Sequence, residues 1–224
     1  MNKEQKIIDS WTANAANWIE IIDNKGIESR RLVTNQAIID IVCNCNPASV
    51  LDLGCGEGWL AKELQDKGIE ITGVDAIPEL IEKAKQRVKG DFIVASYDDI
   101  VSDKLIFSKL FDAIVINFAL IAKKSTENLL ASLPRYMAPG AKLLIQTLHP
   151  HSRKALNDYT TGWKEGSWDG LGEQFMKPYQ WYFRTLEDWL AFLVQAGYSK
   201  IKVTEVLHPV SAKQLSMIFQ CIVK

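Results

Sequence analysis

The chain has 224 residues, 47% of them hydrophobic, with 26 basic against 27 acidic side chains and a formal charge of −1. That content supports a packed core and excludes a disordered chain, and the length suits one α/β domain with an elaboration. Balanced charge without a basic block excludes an extended nucleic-acid footprint, which would rest on many neutralised phosphates.

In chain order, residues 1–46 read as helical, with Trp11 and Trp18 seven apart and so on one face. They serve either as a lid over a ligand or as helix packing. The opening MNKEQKIIDSW has no apolar core before a small-residue cleavage site, and so reads without a signal peptide. Residues 50–53 form a predicted strand, 59–67 a helix stopped by Gly68, and 69–74 a second strand. Pro78 opens a helix over 78–88 at a position that suits proline. A third strand follows over 92–95. A fourth covers 111–118 (FDAIVINF), nearly all apolar as a buried parallel strand should be. A helix over about 126–137 leads to APGAKLLIQTLH, a turn and fifth strand; no apolar run is long enough to span a bilayer. The last helix, 186–196, ends at Gly197, and strands near 201–207 and 215–223 have no helix between them. The alternation predicts an α/β fold, a three-layer, doubly wound, mostly parallel sheet, with the final pair antiparallel.

The gap over 150–184 breaks this rhythm and holds eight of the 21 aromatic residues. A loop of that length inside a compact domain is functional or disordered, and its aromatic density argues against disorder. It is expected to form a substrate cap. The four cysteines include a C-x-C pair, Cys43 and Cys45, but no second pair to complete a zinc set. Reduced thiols in a cytoplasmic protein are expected.

The segment SVLDLGCGEGWLAKEL places Gly54, Gly56 and Gly58 where the first strand turns into the first helix. Ligands in open α/β sheets bind at the carboxyl ends of strands, and a backbone without Cβ atoms lets them approach closely. The dinucleotide pattern G-x-G-x-x-G is broken by Trp59, so a pyrophosphate is disfavoured. Asp75, ending the second strand 21 residues after Gly54, stands where an acidic group accepts from ribose hydroxyls.

VLDLGCGEG, GVDAIPELIEKAK, FDAIVINFAL and YMAPGAKLLIQTLH resemble, in order and spacing, successive motifs of the class I S-adenosylmethionine-dependent methyltransferases. The resemblance runs from about residue 49 to 224 and is closest to the small-molecule branch typified by quinone-biosynthesis enzymes. It implies seven strands with the last antiparallel, and S-adenosylmethionine as cofactor. It would place Gly54, Cys55 and Gly56 along the methionine part, with Asp52 supporting the loop and approaching the cofactor through water. Asp75 would hold the ribose, with Ala76 and Ile77 beside the adenosine. Ser96, Tyr97 and Asp98 would surround the adenine; relatives often carry an acid where Ser96 aligns, which shifts that contact towards Asp98 or Tyr97. Asn117, Phe118 and Ala119 would flank the methionine and the reactive methyl.

Absent motifs narrow the acceptor. Asn117-Phe118-Ala119-Leu120 is not the Asp/Asn-Pro-Pro-aromatic signature of amino-methylating nucleic-acid enzymes, and no proline precedes a cysteine. Asn117 stands where the metal-dependent catechol type has an aspartate, so no metal is expected. Methyl transfer requires alignment and exclusion of water, and a base only if the acceptor starts protonated. His149 and Tyr182 are the candidate bases, with His151 and Tyr179 nearby in sequence. Arg30 is a candidate partner for the methionine carboxylate, a solvated helix arginine being the alternative. The expected activity is methyl transfer to O, N or C of a small molecule. A non-catalytic cofactor-binding regulatory module and a nicotinamide-dependent oxidoreductase are the rival readings.

Overall fold

The computed structural model describes residues 2–152 and 157–224. The N-terminal region is helical: α1 (Lys3–Asp23), a π-helical turn (Arg30–Thr34) and α2 (Asn35–Asn44). Asn2 caps α1, its side chain accepting from the Glu4 N–H, which satisfies one of the free donors of the first turn.

Seven strands make one sheet: β1 (Ser49–Leu53), β2 (Glu70–Asp75), β3 (Asp91–Val94), β4 (Phe111–Asn117), β5 (Met137–Leu148), β8 (Tyr198–Leu207) and β9 (Gln214–Val223). The remaining two, β6 (Gly162–Lys164) and β7 (Trp181–Phe183), form a separate ribbon inside the 150–184 insertion. The large sheet runs β3-β2-β1-β4-β5-β9-β8, with β9 antiparallel to both neighbours. Seven mostly parallel strands with the last antiparallel are as expected, whereas the separate ribbon is unpredicted.

The pleat sends alternate residues of β4 to opposite faces. Ile114 and Ile116 enter the cluster that includes Leu129 and Leu130 of α6 (Lys124–Ser132) and Leu193 of α7 (Leu186–Gln195). Ala113 and Val115 enter the other, built on α2, α3 (Trp59–Gln65) and α4 (Pro78–Arg87). Both faces are covered, so the central strands are apolar throughout.

Departures from the sequence reading have local causes. β4 stops at Asn117 because Phe118 takes φ +54°, a conformation no strand continues. The sixth helix gives way at Ser132 to a 3₁₀ turn (Leu133–Tyr136), where Pro134 lacks the N–H the α ladder needs. An unpredicted short helix, α5 (Tyr97–Val101), starts at a capping box formed by Ser96 and Asp99. In the insertion, β6 and β7 pair Trp163 with Tyr182; residues 153–156 of that segment lie outside the described residues.

The insertion and α1 pack as one roof. Ile7, Trp168, Phe175 and Tyr179 form a small buried cluster, and Trp11 lies edge-on to Trp168 at 4.9 Å and to Trp18 at 5.0 Å. Asn14 donates to the Met176 carbonyl (2.6 Å) and accepts from its N–H (2.8 Å), while Trp168 Nε1 donates to Ser10 Oγ (2.9 Å). Among the described residues no helix is long and apolar enough to cross a membrane.

Candidate active site

Strand order reverses between β1 and β4, and the crevice at their carboxyl ends is where open α/β sheets bind ligands. A cavity of about 700 Å³ lies there, under the roof made by α1 and the insertion. Its volume falls within the range of small-molecule sites.

The glycine loop forms its floor. The N–H groups of Gly54 and Cys55 both donate to the Val74 carbonyl, at 2.7 and 3.1 Å, tying the loop to β2. Gly54 has φ +73°, and a Cβ there would meet the Ala119 Cβ at 2.3 Å, so any side chain would drive apart the loops after β1 and β4. At Gly56 a Cβ would find only Trp18 Nε1 at 3.9 Å. Its bare face is open to the cavity, beneath the indole.

Asp75 ends β2 beside this loop. Its Oδ2 accepts from Gly56 N–H and its Oδ1 from Ile77 N–H, both at 2.9 Å. Burial, resisted by these bonds, pushes the carboxyl up to about 6. Asp52 lies beneath the loop, 1% exposed, and does not line the cavity. Burial, then the charges of Asp75 and Glu57, push it up to about 8, and its Oδ2 has no hydrogen-bond partner.

Of the other residues singled out in the sequence, Cys55, Ala76, Ile77, Ser96, Tyr97, Asp98, Asn117, Phe118 and Ala119 all line the cavity. Ser96 is occupied in capping α5, its Oγ 2.6 Å from Asp99 Oδ2, which leaves exposed Asp98 as the freer acid on that wall. Tyr97 donates to the Ala119 carbonyl at 3.3 Å, and its burial raises the phenol well above its ordinary value. Asn117 Oδ1 is buried without a partner.

Arg30 is not a solvated helix arginine. The π-helical turn directs it inward, where its guanidinium carbon lies 4.8 Å from the Trp59 ring and 5.5 Å from Trp18. Its Nε donates to Asn35 Oδ1 at 3.1 Å, one terminal nitrogen is buried without a partner, and burial lowers its pKa. Among the described residues, three unpartnered buried polar atoms, on Arg30, Thr34 and Asn117, therefore belong to residues lining this one cavity. Such groups cost free energy in an empty protein and are most simply explained by a ligand that satisfies them.

The two candidate bases separate. Tyr182 lines the cavity, next to Trp181 and Phe183. His149 does not: its ring is fully buried, with Nε2 3.2 Å from Glu205 Oε1 and Nδ1 accepting from His151 N–H at 3.1 Å. A base must reach the acceptor's proton, and this ring faces away from it. His151 lies with it, in a separate recess. Tyr179 lines the cavity, but its hydroxyl is 3.1 Å from Trp11 Nε1, and burial holds its proton on.

Sequence reasoning missed the closure of the site. Glu57, 1% exposed, accepts from Trp18 Nε1 at 3.0 Å and from Arg87 at 3.1 Å, fastening α1 over the glycine loop. The signal was an acid between two glycines. Thr34 carried no signal, since only the π-helical turn brings it to the cavity.

Comparisons with known proteins bear on the family and the fold. A family described as a methyltransferase domain matches residues 31–206. The ubiquinone biosynthesis O-methyltransferase of Xanthomonas oryzae pv. oryzae is 28% identical over 156 residues, 66% of this chain. Demethylmenaquinone methyltransferase of Thermotoga maritima is 30% identical over 120 residues, 52% of the chain. The chain spans 63% and 51% of the lengths of these two relatives. Among solved structures, a complex of DhpI with SAM and HEP superposes with a TM-score of 0.71 at 15% identity, covering 97% of this chain and 96% of that one. A likeness that distant shows a shared fold. Since the family match takes in the glycine loop, Asp75 and most of the sheet, the chain belongs to the methyltransferase-domain family.

Proposed function

We propose that the protein transfers a methyl group from S-adenosylmethionine to an O, N or C atom of a small molecule. The observation that carries this reading is the set of unpartnered polar atoms on one cavity, between a glycine loop and a strand-end carboxylate. Their chemistry matches the cofactor. Arg30 suits its carboxylate, Asn117 Oδ1 suits its ammonium, and Asp75 suits its ribose. Asp98 and Tyr97 suit the adenine, with Ala76 and Ile77 as apolar neighbours. The sulfonium supplies an already activated methyl; what the chain contributes is alignment and a dry, aromatic enclosure.

Among the described residues no histidine or lysine lines the cavity, and we assign Tyr182 as the base for an acceptor that needs one. The aromatic wall favours a flat or hydrophobic acceptor, in keeping with the quinone enzymes among the relatives. We read the whole chain as one catalytic domain acting in the cytoplasm without nucleic acid, with residues 1–46 and 150–184 as its caps. Calorimetry with S-adenosylmethionine and S-adenosylhomocysteine, then incubation of labelled-methyl cofactor with a metabolite extract and mass spectrometry, tests this. Binding without turnover would favour a regulatory module, and binding of NADH instead would favour an oxidoreductase.

A further inference from the structure

His149, His151 and Glu205 come together away from the methyl-transfer cavity, with one ligand atom from each lying within 4.8 Å of the others. His149 and His151 follow β5, where the aromatic insertion leaves the sheet, and Glu205 comes from β8. The two imidazole rings are 5.2 Å apart, and His151 Nδ1 is 3.4 Å from the Gln214 side-chain amide at the start of β9. A recess of about 390 Å³, bordered by His151, Glu205 and Gln214, gives water a way in.

We propose that this cluster binds a transition-metal dication, Zn²⁺ in particular, and that the metal clamps the root of the insertion to β8. Two imidazoles and one carboxylate form a donor set for zinc, cobalt, nickel or copper, whereas magnesium and calcium prefer all-oxygen sites. A water, or the Gln214 carbonyl oxygen after an amide flip, completes four-coordination.

The hydrogen bonds of the metal-free cluster set the affinity. His149 Nδ1 accepts from His151 N–H, so the ring's proton sits on Nε2 and points at Glu205. A metal on Nε2 moves that proton to Nδ1, which forces the His151 N–H to turn away. Exposed Lys213 borders the recess and opposes any cation. Micromolar binding follows from these costs, well short of a preorganised structural zinc site.

The test is titration of the purified, chelator-treated chain with Zn²⁺ by calorimetry and with Co²⁺ by visible absorption. One equivalent should bind at about 1–10 µM, with cobalt d–d bands of a four- or five-coordinate site. Glu205→Gln and His151→Ala should each weaken binding at least about tenfold while leaving affinity for S-adenosylhomocysteine unchanged. Zinc should also raise the melting temperature of the wild type and not of Glu205→Gln. Should His151→Ala fail to fold, the isosteric Glu205→Gln decides alone. Absence of stoichiometric binding, or binding that survives in every folded variant, overturns the proposal.

Discussion

Asp52 is expected to make the cofactor's affinity depend on pH. Its carboxyl is buried beneath the glycine loop and pushed up to about 8, chiefly by burial and then by Asp75 and Glu57. At pH 7 the ligand-free protein therefore holds this carboxyl mostly protonated. The ammonium and sulfonium of S-adenosylmethionine favour the ionised form, so binding is expected to expel a proton. The dissociation constant should fall as pH rises towards about 8, by at most about tenfold per pH unit, and level off above. Asp75, pushed only to about 6, is already ionised over most of that window. Calorimetry at pH 7 in two buffers of different ionisation enthalpy should register release of close to one proton, and Asp52→Asn should abolish both the slope and the release. The same shift acts on stability with the opposite sense. A raised folded-state value means that between about pH 4 and 8 the folded chain holds a proton the unfolded chain has lost. Stability of the ligand-free wild type therefore declines by up to about 1.4 kcal/mol per pH unit across that window, and Asp52→Asn declines less. A flat affinity profile in the wild type, or the same slope in Asp52→Asn, refutes the reasoning.

Other substitutions probe the remaining contacts. Arg30→Ala removes the unpartnered buried donor and should weaken cofactor binding by about 1.5–3 kcal/mol without loss of fold, measured by calorimetry and circular dichroism. Asp75→Ala should cost a similar amount, about 1.5–3 kcal/mol, and leave the Gly56 and Ile77 N–H groups without their acceptor; unchanged affinity would defeat the ribose assignment. Trp168→Ala deletes the centre of the roof cluster and should lower stability by about 3–5 kcal/mol in denaturant titration, whereas half-buried Trp181→Ala should change turnover more than stability. Tyr182→Phe should lower kcat by about 10² if the hydroxyl takes the acceptor's proton, with cofactor affinity within about threefold; an unchanged kcat assigns the acceptor to the class that needs no base.

Local chemistry made much of the fold legible in the sequence. Apolar runs separated by helical periods specify a covered parallel sheet, because a strand buried on both faces has no polar alternation to show. The floor of the cavity was legible for a related reason. Gly54 is required by a close backbone approach, and Asp75 ends its strand at the edge where ligands gather.

What the sequence left open depends on contacts between distant segments. Arg30 faces inward because a π-helical turn changes the helix phase, which a 3.6-residue period does not reveal. Glu57 closes the site only because Trp18 and Arg87, far from it in the chain, arrive on either side. His149 illustrates the limit most directly. One residue after β5 ends, alternation no longer dictates where a side chain points, so its position suggested the ligand side. The antiparallel register, pairing Leu148 with Ser216 and Glu205 with Met217, brings Glu205 to the end of β5 and draws the imidazole away from the cavity. Such a register is set by the packing of whole strands, and no local pattern encodes it.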